Sequence, residues 1–317
     1  MLEDWKFEFE TLMKKGMFSE GKELKNQHFP DKLYKYRGIN ENALSNVLNN
    51  NVWINSPLSM NDPYESSVYI DFEKVSRFQT DKRSFWLNHD ISGFFQLGLT
   101  NDDLEIVMND VDPFAKFFDL LRSKTKDKES FDHSMAVMNH IARHRFNELR
   151  EQYIMLLKSI VRIYCMSERN DSMLMWSHYA EQHQGFCIEY SLTNTIFQKD
   201  NTYPALYRNK VLDVTDNFIE NQAGWTTSLL SSLYKTEDWR YEMEWRFTIP
   251  NNIIDKDCNF SFPKPSAIYF GSEIDRITDE KRRGILSQLI KFCEANNIPR
   301  YKMALQRNCF KMTPYLL

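Results

Sequence analysis

The stretch "DWRYEMEWRF", residues 238–247, carries the reading of the fold. Trp239, Tyr241, Met243, Trp245 and Phe247 take one parity; Arg240, Glu242, Glu244 and Arg246 take the other. Successive side chains of a strand point to opposite faces, so this alternation predicts one strand over the whole stretch. Its apolar face is then buried. Its polar face sets Glu242 and Glu244 about 7 Å apart, two residues at roughly 3.4 Å each. Such a row suits two cross-strand salt bridges with Arg240 and Arg246, the simpler reading. It equally suits a site in which one carboxylate holds a ribose hydroxyl or a developing cation while the other orients a nucleophile.

Outward from this stretch, strand and helix signals are interspersed. "KLYKYRG" (32–38), "VWINS" (52–56), "VRIYCMSE" (161–168) and "FCIEYSL" (186–192) read as strands. So do "YPALYRNKVLDV" (203–214), "KPSAIYFGSEI" (264–274), "PRYKMALQ" (299–306) and "CFKMTPYLL" (309–317). Helices are expected at 3–15, after a possible cap at Asn40, over 170–184 ending at Gly185, over 216–236, and over 278–297. Residues 72–160 are helical in pattern, charged and nearly free of Gly and Pro, which reads as a helical insertion or subdomain within a single 1–317 domain. The fold class expected is α+β, with mixed, mostly antiparallel sheets and flanking helices.

The 317 residues can bury a large core. Apolar residues make up 42% and charged residues 26%, the balance of a folded soluble protein. Glycine occurs only 9 times, and neither GxGxxG nor GxxxxGK[ST] is present, which argues against a Gly-rich phosphate loop. A net charge of −4 exerts no global pull on nucleic acid. Five cysteines without a CxxC pair read as reduced thiols, and the acidic amphipathic start is unlike a signal peptide, so a cytoplasmic protein is expected. No apolar run approaches the roughly 18 residues of a membrane span.

Four segments place polar groups in apolar surroundings. Tyr36-Arg37 ends the first strand, where an Arg can clamp a phosphate bidentately or simply sit at the surface. Asn61, Asp62 and Glu65 lie in a turn-rich loop, which they can build by Asx bonding alone. Ser167 and Glu168 precede a helix bearing Trp176, His178 and Tyr179; its rings suit stacking on a base or nicotinamide, and His178 suits acid–base work. Glu242-x-Glu244 is the fourth. No metal site is expected: His140 and His144 stand i,i+4 but lack an HExxH context, and Cys165, Cys187 and His178 lack a fourth ligand.

In this order, "LYKYRG", "VWINSPLSMNDPYES", "CMSERNDSMLMWSHYAEQHQGFCIEYSL" and "WRYEMEWRF" resemble the bacterial family known as domain of unknown function 2971, from about residue 32 to about 275. A more distant similarity is to the Arg-Ser-Glu class of ADP-ribosyltransferases. That similarity implies NAD as substrate. It implies Arg37 on the NAD phosphates, Ser167 supporting the pocket, Glu244 on the nicotinamide ribose and Glu242 toward the acceptor. The Glu pair lies in a predicted strand rather than in the turn that precedes it in that class, and "CMSE" replaces Ser-Thr-Ser. The class of bacterial protein resembled implies a toxin or antiphage defence effector. Two other readings stay open. One is a non-enzymatic nucleotide- or protein-binding sensor with Arg37, Asp62, His178 and Glu244 in a buried network. The other is a nuclease binding Mg²⁺ through Asp62, Glu65, Glu242 and Glu244.

Overall fold

The structure, a computed structural model, describes residues 4–78, 98–253 and 258–317. Near the start come helices α1 (Asp4–Lys14), α2 (Phe18–Gln27) and α3 (Glu41–Leu48). The strands run β1 (Leu33–Arg37), β2 (Asn51–Trp53), β3 (Val68–Tyr69), β4 (Val161–Ser167) and β5 (Phe186–Tyr190). They continue with β6 (Thr202–Pro204), β7 (Leu206–Arg208), β8 (Leu212–Asp213), β9 (Tyr234–Thr236) and β10 (Glu244–Pro250). The last are β11 (Asn259–Ser261), β12 (Ala267–Phe270), β13 (Arg300–Leu305) and β14 (Met312–Leu316). Helices combine with mixed, mostly antiparallel sheets, so the fold is α+β. The main sheet has the order β14-β13-β12-β5-β1-β4-β10-β6, with β12 and β13 its parallel pair.

The chain divides into two compact units. The first comprises Met1–Ser67, Leu157–Leu212 and Gly224–Leu317; the second comprises Val68–Leu156 and Asp213–Ala223. In the second unit Thr100 caps the helix Asn101–Met108 through a reciprocal bond with Asp103. Leu104 and Val107 pack with Phe117 and Leu121 from the helix Pro113–Lys124. His133, His140 and His144 lie exposed on the helix Lys128–Ile160. A stretch of the sequence-predicted helical segment, 79–97, lies outside the described residues. No helix among the described residues is long and apolar enough to cross a membrane.

In the first unit the sheet is covered on both faces. Leu33, Met166, Trp245, Phe247 and Ile249 join one cluster with α3 and the helix Glu280–Ala295; Tyr36, Cys187 and Tyr269 join another with Met175 and Trp176. Burying each large apolar side chain contributes about 1.5–3 kcal/mol. Asn40 caps α3, its side chain accepting the Ala43 N–H at 2.9 Å. Lys25 is fully buried on α2 and donates to the carbonyls of Lys199 (2.7 Å), Thr202 (3.0 Å) and Asp200 (3.5 Å).

Three expectations need correction. The stretch 238–247 is not one strand. Glu237–Glu242 forms a 3₁₀ turn, Met243 is left-handed at φ 43° and ψ 56°, and β10 starts at Glu244. The parity of 238–243 is coincidental. The i,i+3 pair Arg240–Glu237, bidentate at 2.6 and 2.7 Å, spans this turn. The helix expected over 170–184 spans only Met173–Tyr179, because Glu181, Gln182 and His183 all adopt positive φ. That tight return requires Gly185, where a Cβ would stand 2.3 Å from the Arg37 carbonyl oxygen. The helix expected over 216–236 is two, Thr215–Ile219 and Trp225–Leu233.

Candidate functional site

The site grows from a fault in the sheet. β1 pairs with β5 through all five residues from Leu33↔Tyr190 to Arg37↔Phe186, but with β4 only at Tyr34↔Ser167. Beyond that pair the two strands part. The opening is a cavity of about 280 Å³ flanked by Tyr34–Tyr36 on one side and Tyr164–Ser167 on the other. Exposed Ser59 and Asn61 stand at its edge. Its walls mix aromatic and sulfur-bearing side chains with convergent polar and charged groups, a form that suits a polar small molecule.

Register sets the polar row. Tyr34 faces Ser167 and Ser167 faces Glu244, so the three lie side by side across β1, β4 and β10. The turn before β10 adds Glu242. Ser167 fixes that turn: its hydroxyl donates to the Glu242 carbonyl at 2.6 Å and accepts from the Arg169 N–H at 3.1 Å. The Glu244 N–H donates to the Tyr207 hydroxyl at 2.8 Å. The left-handed Met243 between them is a strained conformation for a non-Gly residue, and it turns both carboxylates onto one lysine.

That lysine is Lys235 on β9. Its Nζ donates to Glu242 Oε2 and, at 3.0 Å, to Glu244 Oε2. The Tyr179 hydroxyl donates to the other oxygen of Glu242 at 2.6 Å. Behind Glu244 lies Arg246, fully buried, which bonds Glu244 at 3.0 Å and Glu65 bidentately at 2.6 and 3.0 Å, and also reaches the Ser232 carbonyl. Glu65, Glu242, Glu244 and Lys235 all line the cavity.

The two carboxylates are driven apart in acidity. Burial raises Glu242, the negative charge of Glu244 raises it further, and Lys235 and Tyr179 compensate only in part. Burial also acts against the Glu244 charge, but Arg246 and Lys235 outweigh it and hold this carboxyl far below the usual range. Burial opposes the Lys235 charge too, and Glu244 and Glu242 more than restore it. The pair therefore titrates as a unit in which Glu244 ionises first and Glu242 holds its proton longer.

Of the residues singled out in the sequence, Tyr36, Asn61, Glu65, Ser167, Tyr179, Glu242 and Glu244 line this cavity. Five lie elsewhere. Glu168 accepts from the Trp245 Nε1. Arg37 shares its strand parity with the cavity-lining Lys35 but stands at the end of β1 and does not line the cavity; its guanidinium reaches Asn46 at 3.5 Å. Asp62 builds its loop, accepting the Tyr64 N–H at 2.8 Å. Trp176 is fully buried, its Nε1 donating to the Asn170 carbonyl and its ring set edge-on against Tyr36. His178 is exposed, its Nδ1 3.0 Å from the Tyr241 hydroxyl. Sequence reasoning missed Lys35 and Lys235. The available signal was a lone lysine inside each of two aromatic strand segments, "LYKYR" and "LYKTE".

Residues 175–247, from Met175 to Phe247, match the model of a family described as protein of unknown function (DUF2971). The matched segment contains Tyr179, Lys235, Glu242, Glu244 and Arg246. No curated protein and no solved structure matches the chain. The carboxylate–lysine centre of the cavity thus lies within the segment that is similar to the DUF2971 family.

Proposed function

We propose that the cavity binds a nucleotide of the NAD type and cleaves its N-glycosidic bond, as an ADP-ribosyltransferase-like enzyme does. The observation that carries this reading is the Glu242/Glu244 pair, presented by a turn and the first residue of β10, with opposite shifts in acidity. Two titratable groups pushed apart by their surroundings are the usual mark of divided acid–base roles. The turn also removes one departure from the ADP-ribosyltransferase pattern, because Glu242 precedes the strand rather than lying within it.

Chemically, the bond from ribose C1′ to the pyridinium nitrogen breaks and its electron pair leaves with neutral nicotinamide. The ionised Glu244 stabilises the positive charge that develops on the ribose. Glu242, more basic than an ordinary carboxylate, accepts the proton of the attacking hydroxyl, amine or water. Tyr34, Tyr36 and Tyr179 supply aromatic and hydroxyl surface for ring and sugar. Arg37 has no part in this arrangement; the basic residue that β1 contributes to the cavity is Lys35. An enzyme that consumes NAD suits a toxin or antiphage effector.

The test is release of labelled nicotinamide from NAD. Glu244→Gln is expected to lower the rate by about 10²–10³-fold, the effect of removing one electrostatic contact to a transition state. Absence of release from the wild type, or equal release from both proteins, refutes the enzyme. A second reading, a nucleotide sensor without chemistry, is favoured by one fact: Glu244 is already bound by both Lys235 and Arg246. A sensor binds NAD, leaves it intact, and binds it equally well with Gln at 242. The nuclease reading gains little. Glu65, Glu242 and Glu244 are all engaged in ion pairs with Arg246 and Lys235, and among the described residues no cluster of three or more His, Cys, Asp or Glu is arranged to hold a metal ion.

A further inference from the structure

The cations around the cavity are unequally used. Lys235 holds two carboxylates, and so does Arg246. Lys35 forms no ion pair with a carboxylate among the described residues, although it lines the same cavity. Among the described residues its Nζ makes one hydrogen bond, to the Cys165 carbonyl at 2.8 Å, and it stands 4.8 Å from the centre of the Tyr164 ring. An ammonium has three donors. The carbonyl it uses belongs to the part of β4 that β1 no longer pairs with, so Lys35 spans the fault and brings a positive charge into it. Lys35 is half-buried, and a partly desolvated cation without a directly paired anion is costly, so the free energy of that site falls when an anion enters.

We propose that Lys35 is the ligand-phosphate-binding residue of this cavity. This rests on the nucleotide reading and fixes the polarity of the bound molecule. The phosphate lies at the β1–β4 opening, and the sugar faces Tyr179, Glu242 and Glu244. A phosphate offers several acceptor oxygens to the unspent donors of the ammonium, and the bond is charge-assisted at both ends. Lys35 also predicts a proton signature. Burial lowers its affinity for a proton, and Arg37 lowers it further; Cys165, Glu244 and Glu242 act the other way, without restoring the ordinary value. Binding an anion beside it raises that affinity, so at a pH between the free and bound values a phosphorylated ligand draws in a proton that its phosphate-free counterpart does not.

Nicotinamide mononucleotide and nicotinamide riboside differ only by the phosphate and serve as probes. Calorimetry in two buffers of different ionisation heat reads both affinity and proton uptake. The mononucleotide is expected to bind at least about 10-fold tighter than the riboside, a difference of about 1.4 kcal/mol. Proton uptake should accompany the mononucleotide alone. Lys35→Met should abolish both differences and leave riboside affinity unchanged; Lys35→Arg should retain the affinity difference. Equal affinities in the wild type, or a phosphate preference that persists in a folded Lys35→Met protein, overturns the proposal. If neither nucleoside binds, the nucleotide reading falls, and orthophosphate alone decides the role of Lys35. Thermal stabilisation by orthophosphate that Lys35→Met loses upholds the anion site, and no stabilisation overturns it.

Discussion

Arg246→Met tests whether the charged row behind the cavity is one coupled unit. Arg246 is fully buried and makes two bonds to Glu65, one to Glu244 and one to the Ser232 carbonyl. Methionine removes all four and leaves their acceptors in place. Glu244 keeps Lys235 at 3.0 Å. Glu65 is left with only the adjacent Ser66 hydroxyl at 3.4 Å. Breaking a buried pair from one side costs about 3–5 kcal/mol, most of it the stranded charge. Glu65→Gln alone should cost about 2–3 kcal/mol, since Arg246 retains Glu244. If the two changes were independent, the double variant would lose roughly 5–8 kcal/mol. Because the second removes the charge that the first strands, it should lose only about 3–5 kcal/mol, a coupling of about 2–3 kcal/mol. Urea unfolding of wild type, both single variants and the double variant, with slopes compared to exclude a change in the unfolded state, gives each value. Losses that add to within about 0.5 kcal/mol would refute the coupled network.

Other consequences follow from single positions. Met243→Val should destabilise by about 1–3 kcal/mol, because a β-branched residue at φ 43° is more strained, whereas Met243→Gly should be close to neutral; chemical denaturation of the two distinguishes them. Gly271→Ala places a Cβ 2.0 Å from the His183 carbonyl oxygen, so a loss of several kcal/mol is expected on thermal unfolding, and a loss under about 1 kcal/mol would contradict the close approach. Burial pushes the Lys25 ammonium down to about 7 from 10.5. The unfolded chain therefore holds more protons between those values, and this contribution to stability rises with pH from about 7 to about 10.5. The rise amounts to roughly 4–5 kcal/mol at 1.36 kcal/mol per unit, and a Lys25→Met protein should lack it when stability is compared across pH. Asp103 is held down to about 2, first by Lys124 and then by Thr100. Its contribution is present above the ordinary value of 3.8 and is lost as pH falls toward 2, which acid titration of helicity in Asp103→Asn and wild type should separate.

Much of the sheet was legible because burial writes periodicity into the chain. The segments "LYKYR", "VRIYCMS" and "FCIEY" are strands as read, and Asn40 caps α3 as its type predicts. Local conformation was less legible where a tertiary contact decides it. Residues 238–243 alternate like a strand, yet the Ser167 hydroxyl on the Glu242 carbonyl and the bond from the Glu168 N–H to the Met243 carbonyl hold them in a turn. The candidate site divides the same way. Ser167, Tyr179, Glu242 and Glu244 stood out as polar groups in apolar strings, and all line the cavity. Arg37 stood out for the same reason and does not, although it shares its strand face with the cavity-lining Lys35, because at the end of β1 its guanidinium reaches Asn46 instead.

By itself, then, the sequence determined the α+β class, the strand segments and the residue types of the polar row, since these depend on composition and near-neighbour spacing. Only the tertiary structure decided where β1 leaves β4. It brought Lys235 from β9 between Glu242 and Glu244, and it left Lys35 as the cation lining the cavity without a carboxylate partner among the described residues. Those outcomes rest on strand register and on contacts between residues up to 181 positions apart, such as Glu65 and Arg246, which no local pattern encodes.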